Sequence, residues 1–178
     1  RTNQFILKEC KTMGVSREMA VQQVHELIYE SCLLLNAERW NDYLELCDKS
    51  VFNYSIVNYS PEIRRDQCWM ERDYKGLKSI FDLLPKHNSD RSQLTRHATV
   101  YKVEFDPELN QANALTLVTI YRTQLDGINS HFESGVTSLF AVGKYIDVID
   151  FNAGKVNLKK RVVALDTRQV DIGSHYPL

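Results

Sequence analysis

The chain has 178 residues, enough for one ordinary domain, and 43% of them are apolar, which at this size suffices for a full hydrophobic core. Its 22 Lys and Arg nearly balance 23 Asp and Glu, giving a formal net charge of -1; no global field therefore favours nucleic acid or an anionic membrane as partner. No stretch has the length of a transmembrane helix or the form of a signal peptide, and the densest apolar cluster, Ile28 to Leu35, is interrupted by Glu30 and Ser31.

The chain opens on Arg1 rather than Met, so a native N-terminal stretch is expected to precede it. One domain over 1–178 is expected, helical over 16–84 and mainly sheet over 93–166. In the first part, Val21, Val24, Ile28, Cys32 and Leu35 recur every three or four positions. That spacing predicts a helix from about Arg17 to Asn36, with Ser16 as N-cap and Glu18 in its first turn. A short helix with Trp40, Tyr43, Leu44 and Cys47 on one side follows. The segment Ser50 to Met70 reads as a hairpin, "SVFNYSIVNY" pairing with "IRRDQCWM" across the turn Tyr59-Ser60-Pro61. A third helix is predicted from about Asp73 to Leu84, with Leu77, Ile80, Phe81 and Leu84 inward, Asp73 capping it and Pro85 ending it.

Four long strands are predicted next. Gln93 to Asp106 alternates, with His97, Thr99, Tyr101, Val103 and Phe105 on one face. Ala112 to Leu125 follows, closed by Asp126-Gly127, a pair suited to the positive φ of a tight hairpin turn. "SHFESGVTSLFAVGKYIDVIDF" and, after Asn152-Ala153-Gly154, "KVNLKKRVVALD" complete the set. Gly135 and Gly143 suggest bulges or bends. Helices followed by an antiparallel meander imply an α+β fold, in which N-terminal helices lie in the concave face of a strongly curved sheet, a cone with its pocket at the wide end.

Several segments resemble one family. "LLLNAERWNDYLELCDKSVFNY" resembles the opening helices of the small (beta) subunits of aromatic-ring-hydroxylating dioxygenases. "LTRHATVYKVE" resembles their Arg-His strand, "VTIYRTQ" their Tyr-Arg strand, "GKYIDVID" their Gly-x-Tyr-x-Asp strand and "KKRVVALDTRQV" their closing Arg-x-x-x-Leu-Asp segment. The likeness runs from about Ile28 to the C-terminus; Asn36 stands where the family usually has an acidic residue. The resemblance implies the cone-shaped, nuclear-transport-factor-two-like fold. It also implies a structural role, cytoplasmic, in a dioxygenase or related monooxygenase. Three such subunits would join three large (alpha) subunits, the Rieske iron–sulfur cluster and mononuclear iron lying on the large subunit.

The residues give no independent sign of a resident metal. A Rieske centre takes paired Cys and His, and the chain has neither Cys-x-His nor Cys-x-x-His. Its histidines, His25, His87, His97, His131 and His175, are far apart in sequence, and Cys10, Cys32, Cys47 and Cys68 form no two-residue knuckle. Buried, reduced thiols are expected. No catalytic, cofactor-binding or metal residue is assigned on the family reading.

An alternative reading makes the chain a stand-alone isomerase or dehydratase of the same fold, with His97 joined by Asp48, Tyr54 or Tyr121 in a proton-moving pocket. A third reading is a non-enzymatic ligand-binding or dimerisation module. Arg96, His97, Arg122, Tyr145, Arg161 and Tyr176 are the candidate interface residues. Arg96, Arg122, Lys159, Lys160 and Arg161 form either a basic patch for an acidic large subunit or anionic substrate or a solvated outer face, the latter expected of the lysines, while Arg96 and Arg122 are open to buried ion pairs and Asp147 is a candidate partner of Arg122; "DIGSHYPL" is either a frayed tail or an arm that docks on a neighbour.

Overall fold

The structure is a computed structural model that describes residues 16–87, 92–125, 134–152, 155–170 and 177–178. Helix α1 spans Arg17–Asn36, and the Ser16 side chain accepts a hydrogen bond from the Met19 backbone N–H at 3.2 Å, the cap expected from the sequence. Ala20, Val24, Leu27, Ile28, Cys32 and Leu35 are its buried stripe. Glu38, in the left-handed region at φ 54°, turns the chain into α2 (Trp40–Glu45). Strands β1 (Asn53–Ser60) and β2 (Arg65–Asp73) form the expected hairpin. The Asp73 carboxylate accepts from the Gly76 N–H at 2.7 Å near the start of α3 (Tyr74–His87). Trp40 stacks on Phe81 at 5.0 Å and Tyr43 meets the same ring edge-on, tying α2 to α3.

Pro85 does not end α3, which runs on to His87. A proline this near a helix C-terminus removes one N–H from the last turn, a smaller loss than in mid-helix.

Strands β3 (Gln93–Asp106), β4 (Gln111–Thr123), β5 (Thr137–Asn152) and β6 (Lys155–Leu165) complete a six-stranded sheet of order β2-β1-β6-β5-β4-β3. All neighbours are antiparallel except β1 and β6, which run parallel. The sheet is curved and unclosed. Helix α1 packs across its inner face, chiefly on β3, with further contacts to β4 and β6. The predicted Asp126-Gly127 turn lies outside the described residues.

Register shifts shape the site more than the glycines do. Tyr101 has no partner between Val100 and Lys102, Phe140 none between Leu139 and Ala141, and Lys159 none between Leu158 and Lys160. Each extra residue flips the alternation downstream of it. The single face expected for His97 to Phe105 is therefore split. His97 and Thr99 precede the shift and face outward, while Val103 and Phe105 follow it and pack against the core. Gly143 is not a bulge but a close approach: a Cβ there would lie 2.5 Å from the Ala164 carbonyl oxygen.

Candidate interaction surface

The wide end of a cone is where a pocket would form, and described polar side chains of the interior are bonded to one another there. Arg161 on β6 and Asp147 on β5 are register partners, both fully buried. The guanidinium donates from Nε to Oδ1 and from Nη2 to Oδ2, each at 2.8 Å, and from Nη1 to the Ser31 hydroxyl on α1 at 3.0 Å. It also lies 4.3 Å over the Tyr145 ring. Burial alone would pull the Arg161 pKa down, but the Asp147 carboxylate, together with Tyr43 and Tyr145, more than offsets this and holds it well above its ordinary value.

Tyr54 on β1 closes the next layer. Its hydroxyl donates to the Leu178 carbonyl at 3.0 Å and accepts from the Leu178 N–H at 2.9 Å. Arg96 on β3 donates from Nη2 to the Pro177 carbonyl at 2.8 Å, and Leu178 itself is buried. Pro177 and Leu178 are thus folded against the chain's own core, and the rest of the segment considered as an arm, 171–176, lies outside the described residues. Tyr176 lies outside the described residues.

These groups are poorly tuned for proton transfer. Burial pushes the Tyr54 phenol and the Cys47 thiol up to about 12, and raises Tyr43, Tyr145 and Cys32 as well. A general acid or base works best near the operating pH.

Of the four residues of the alternative reading only His97 and Tyr121 meet. His97 is exposed on the outer face, where its ring meets Tyr121 edge-on at 5.3 Å. Tyr54 is in the interior. Asp48 sits in the turn after α2, where Oδ1 accepts from the Ser50 hydroxyl and from the N–H groups of Ser50 and Val51. The Ser50 contacts hold its carboxyl below the usual range.

Three of the expected interface residues also move inward. Arg96, Tyr145 and Arg161 are buried among core side chains. Arg161 was expected on an outward face with Lys159 and Lys160, but the extra residue at Lys159 turns it to the concave side. The Asp147 carboxylate accordingly pairs with Arg161 and not with Arg122, which is half-buried at the end of β4. Among the described residues no three His, Cys, Asp or Glu side chains cluster as a metal-ligand set. The described residues do not fit either iron centre of the implied enzyme, and no chemical step is routed through them.

What remains is the outer face of the sheet. Register places Leu115, Ile146 and Val162 side by side across β4, β5 and β6, with Leu117, Lys144, Ala164 and Val57 in the adjoining row. Ile146, Leu139 and Tyr101 are 46%, 57% and 66% exposed, an apolar face that no element among the described residues covers. Along α1 a shallow open groove is lined by Leu27, Tyr29, Leu33, Leu46 and Val156 with Glu26 and Glu30. No described helix is long and apolar enough to cross a membrane.

No family model matches the chain. It is 38% identical over 159 residues to the methanesulfonate monooxygenase hydroxylase beta subunit of Methylosulfonomonas methylovora, covering 89% of this chain and 87% of that one. The chain belongs to the oxygenase beta-subunit family. A second member, the 2-aminobenzenesulfonate 2,3-dioxygenase beta subunit of an Alcaligenes species, is 29% identical over 160 residues, covering 90% of this chain and all (100%) of that one. Solved structures agree on the fold. The beta subunit of an aromatic-ring-hydroxylating dioxygenase of Novosphingobium aromaticivorans superposes with a TM-score of 0.70 at 21% identity, covering 90% of this chain and 98% of that one. Naphthalene 1,2-dioxygenase gives 0.69 at 15% identity, covering 89% and 85%. The fold is also shared, at 13% identity and a TM-score of 0.58, with a scytalone dehydratase-like protein of Novosphingobium aromaticivorans, and a shared fold does not by itself carry function.

Proposed function

We propose that this beta subunit is a non-catalytic scaffold of a multicomponent Rieske-type oxygenase, which binds a large alpha subunit and sets its oligomeric state. On this reading three copies associate and join three alpha subunits, and the Rieske cluster and mononuclear iron reside on the alpha subunit. Its relatives are named for sulfonate substrates, so a small organosulfonate is the substrate class proposed for the whole enzyme.

The observation that carries the reading is the contrast between the two faces of the sheet. Among the described residues the concave face carries Tyr54, Tyr145, Arg161 and Leu178, all buried. The convex face exposes Ile146, Leu139 and Tyr101. A pocket enzyme needs an accessible concave face, and an assembly subunit needs an adhesive outer one.

Co-expression with a large alpha subunit of the same family of oxygenases tests the proposal. The expected product is one particle of three large and three small chains by light scattering, with iron and turnover only when the large subunit is present. A strict monomer that does not retain the large subunit, or turnover by the isolated chain, overturns it.

A further inference from the structure

Pro177 and Leu178 are seated in the interior as a ligand would be. Both are buried, Leu178 to 3% exposure. The Tyr54 hydroxyl grips one main-chain unit from both sides: it accepts from the Leu178 N–H at 2.9 Å and donates to the Leu178 carbonyl at 3.0 Å. Arg96 Nη2 donates to the Pro177 carbonyl at 2.8 Å. The two receptor side chains are themselves out of solvent, Tyr54 fully and Arg96 at 5% exposure. Tyr54 is 124 positions from Leu178, and Arg96 is 81 from Pro177, so neither contact is a local turn or cap.

Regular elements hold the receptor groups in place without help from the tail. Tyr54 stands on β1 in register with Arg161 of the buried ion pair. Arg96 stands on β3, and the Asn36 side-chain oxygen at the end of α1 accepts from its main-chain N–H at 2.9 Å and from its Nη1 at 3.1 Å, which fixes the guanidinium. All three hydrogen bonds to the tail go to main-chain atoms, and the leucyl side chain joins the apolar core cluster. Main-chain bonds for affinity and a buried side chain for choice are the division of labour of a peptide-recognition site.

We infer that the interior of the cone is a recognition site for a short peptide ending in prolyl-leucine, occupied in cis by Pro177 and Leu178, and that it takes the same dipeptide in trans when those two residues are removed. Tyr54 reads the N–H and carbonyl of the last residue, Arg96 reads the carbonyl before it, and the core receives the leucyl side chain. The last residue must supply an N–H, which excludes proline there. The Arg96 guanidinium, bonded one residue earlier, favours a ligand whose last residue carries a free carboxylate.

The chain shortened by deleting Pro177 and Leu178, within its large-subunit complex if it forms one, tests the site. The deletion should lower the melting midpoint by about 5–15 °C, as loss of a buried leucine does. N-acetyl-prolyl-leucine at tenfold above half-saturation should raise it again by about 3–6 °C. N-acetyl-leucyl-proline, of the same composition but without the last N–H, should not, and the full-length chain, its site already filled, should respond to neither. Tyr54→Phe in the shortened chain should raise the half-saturating concentration about fivefold or more. If the shortened chain does not fold by itself, refolding with N-acetyl-prolyl-leucine should restore its circular-dichroism spectrum, and refolding with N-acetyl-leucyl-proline should not. An unchanged midpoint on deletion, no saturable response or recovery with N-acetyl-prolyl-leucine, an equal effect of the two dipeptides, an equal response of the full-length chain, or an unaltered half-saturation in Tyr54→Phe would each overturn the inference.

Discussion

Replacing Asp147 with Asn is the most informative single change. It keeps the shape of the side chain and removes the charge that faces a fully buried guanidinium. Two charge-assisted hydrogen bonds at 2.8 Å are weakened or lost, and what remains for Arg161 is the Ser31 hydroxyl and the Tyr145 ring. Removing one partner of a buried pair typically costs about 3–5 kcal/mol, set against a total stability of about 5–15 kcal/mol. With a urea slope of about 2 kcal/mol per molar, the unfolding midpoint falls by about 1.5–2.5 M. The double variant Asp147→Leu with Arg161→Met removes both charges. It should recover most of the loss, because two apolar side chains need no desolvation of ions and Ser31 keeps its bond to the Ile28 carbonyl. Equilibrium urea unfolding followed by circular dichroism reads both. A midpoint shift below about 0.5 M for Asp147→Asn, or a double variant less stable than the single one, refutes the account of Arg161 as a paired core ion.

Gly143→Ala forces a methyl into the Ala164 and Leu165 backbone, so β5 and β6 must part; a loss of about 2 kcal/mol or more is expected in the same assay. Tyr54→Phe strands the buried Leu178 N–H and carbonyl, costing about 1–3 kcal/mol, and hydrogen exchange at Leu178 should accelerate while that at β4 does not. Ile146→Arg, on the convex face, should change folding stability by no more than about 0.5 kcal/mol yet abolish retention of the large subunit in pull-down; unchanged retention removes that face from the interface. Peptide mapping after alkylation at pH 8 should find Cys68 modified and Cys32 and Cys47 protected in the folded chain, since Cys68 is exposed and the other two are buried. Cys47 keeps its proton to about 12 in the fold, against an ordinary thiol value of 9.0. The stability this contributes is full below pH 9 and declines as pH rises from there toward 12, and a flat stability from pH 8.5 to 11 contradicts that burial.

The elements were legible because each carried a local rule. Ser16 and the spacing from Val21 to Leu35 mark α1 within a residue of its ends, and Asp73 marks the start of α3. The faces of the long strands were not legible, because one unpaired residue in a strand inverts everything after it. Tyr101 looks like any alternating aromatic, and Lys159 like one of three surface cations, until the partner strand fixes where the ladder slips. That is why Val103 and Phe105 were placed with His97, and why Arg161 was assigned to an outward face. Asp147 was recognised as a carboxylate in search of an arginine, but the choice between Arg122 and Arg161 is a question of register that composition cannot answer. The seating of Leu178 in the cone rests on a contact between residues 124 positions apart, which no local period encodes.

The bonded interior of the cone also bears on how one fold serves two purposes. A sheet wrapped around helices leaves polar side chains from several strands converging inside, and a pocket enzyme uses that convergence to tune acids and bases. Here part of that convergence is satisfied internally: Asp147 by Arg161, Ser31 by Arg161, Tyr54 by the backbone of Leu178. Each bond fixes an inner side chain to an element of a different part of the chain, which stiffens the sheet from within. A stiff sheet presents its outer rows, with Leu115, Ile146 and Val162 in line, in one defined geometry, and a preformed surface loses less entropy on association than a mobile one. The polar interior and the apolar exterior are therefore linked. Variants that loosen the core, such as Tyr54→Phe, should weaken binding of the large subunit even though they touch no outward residue, whereas Ile146→Arg should weaken it without loosening the core.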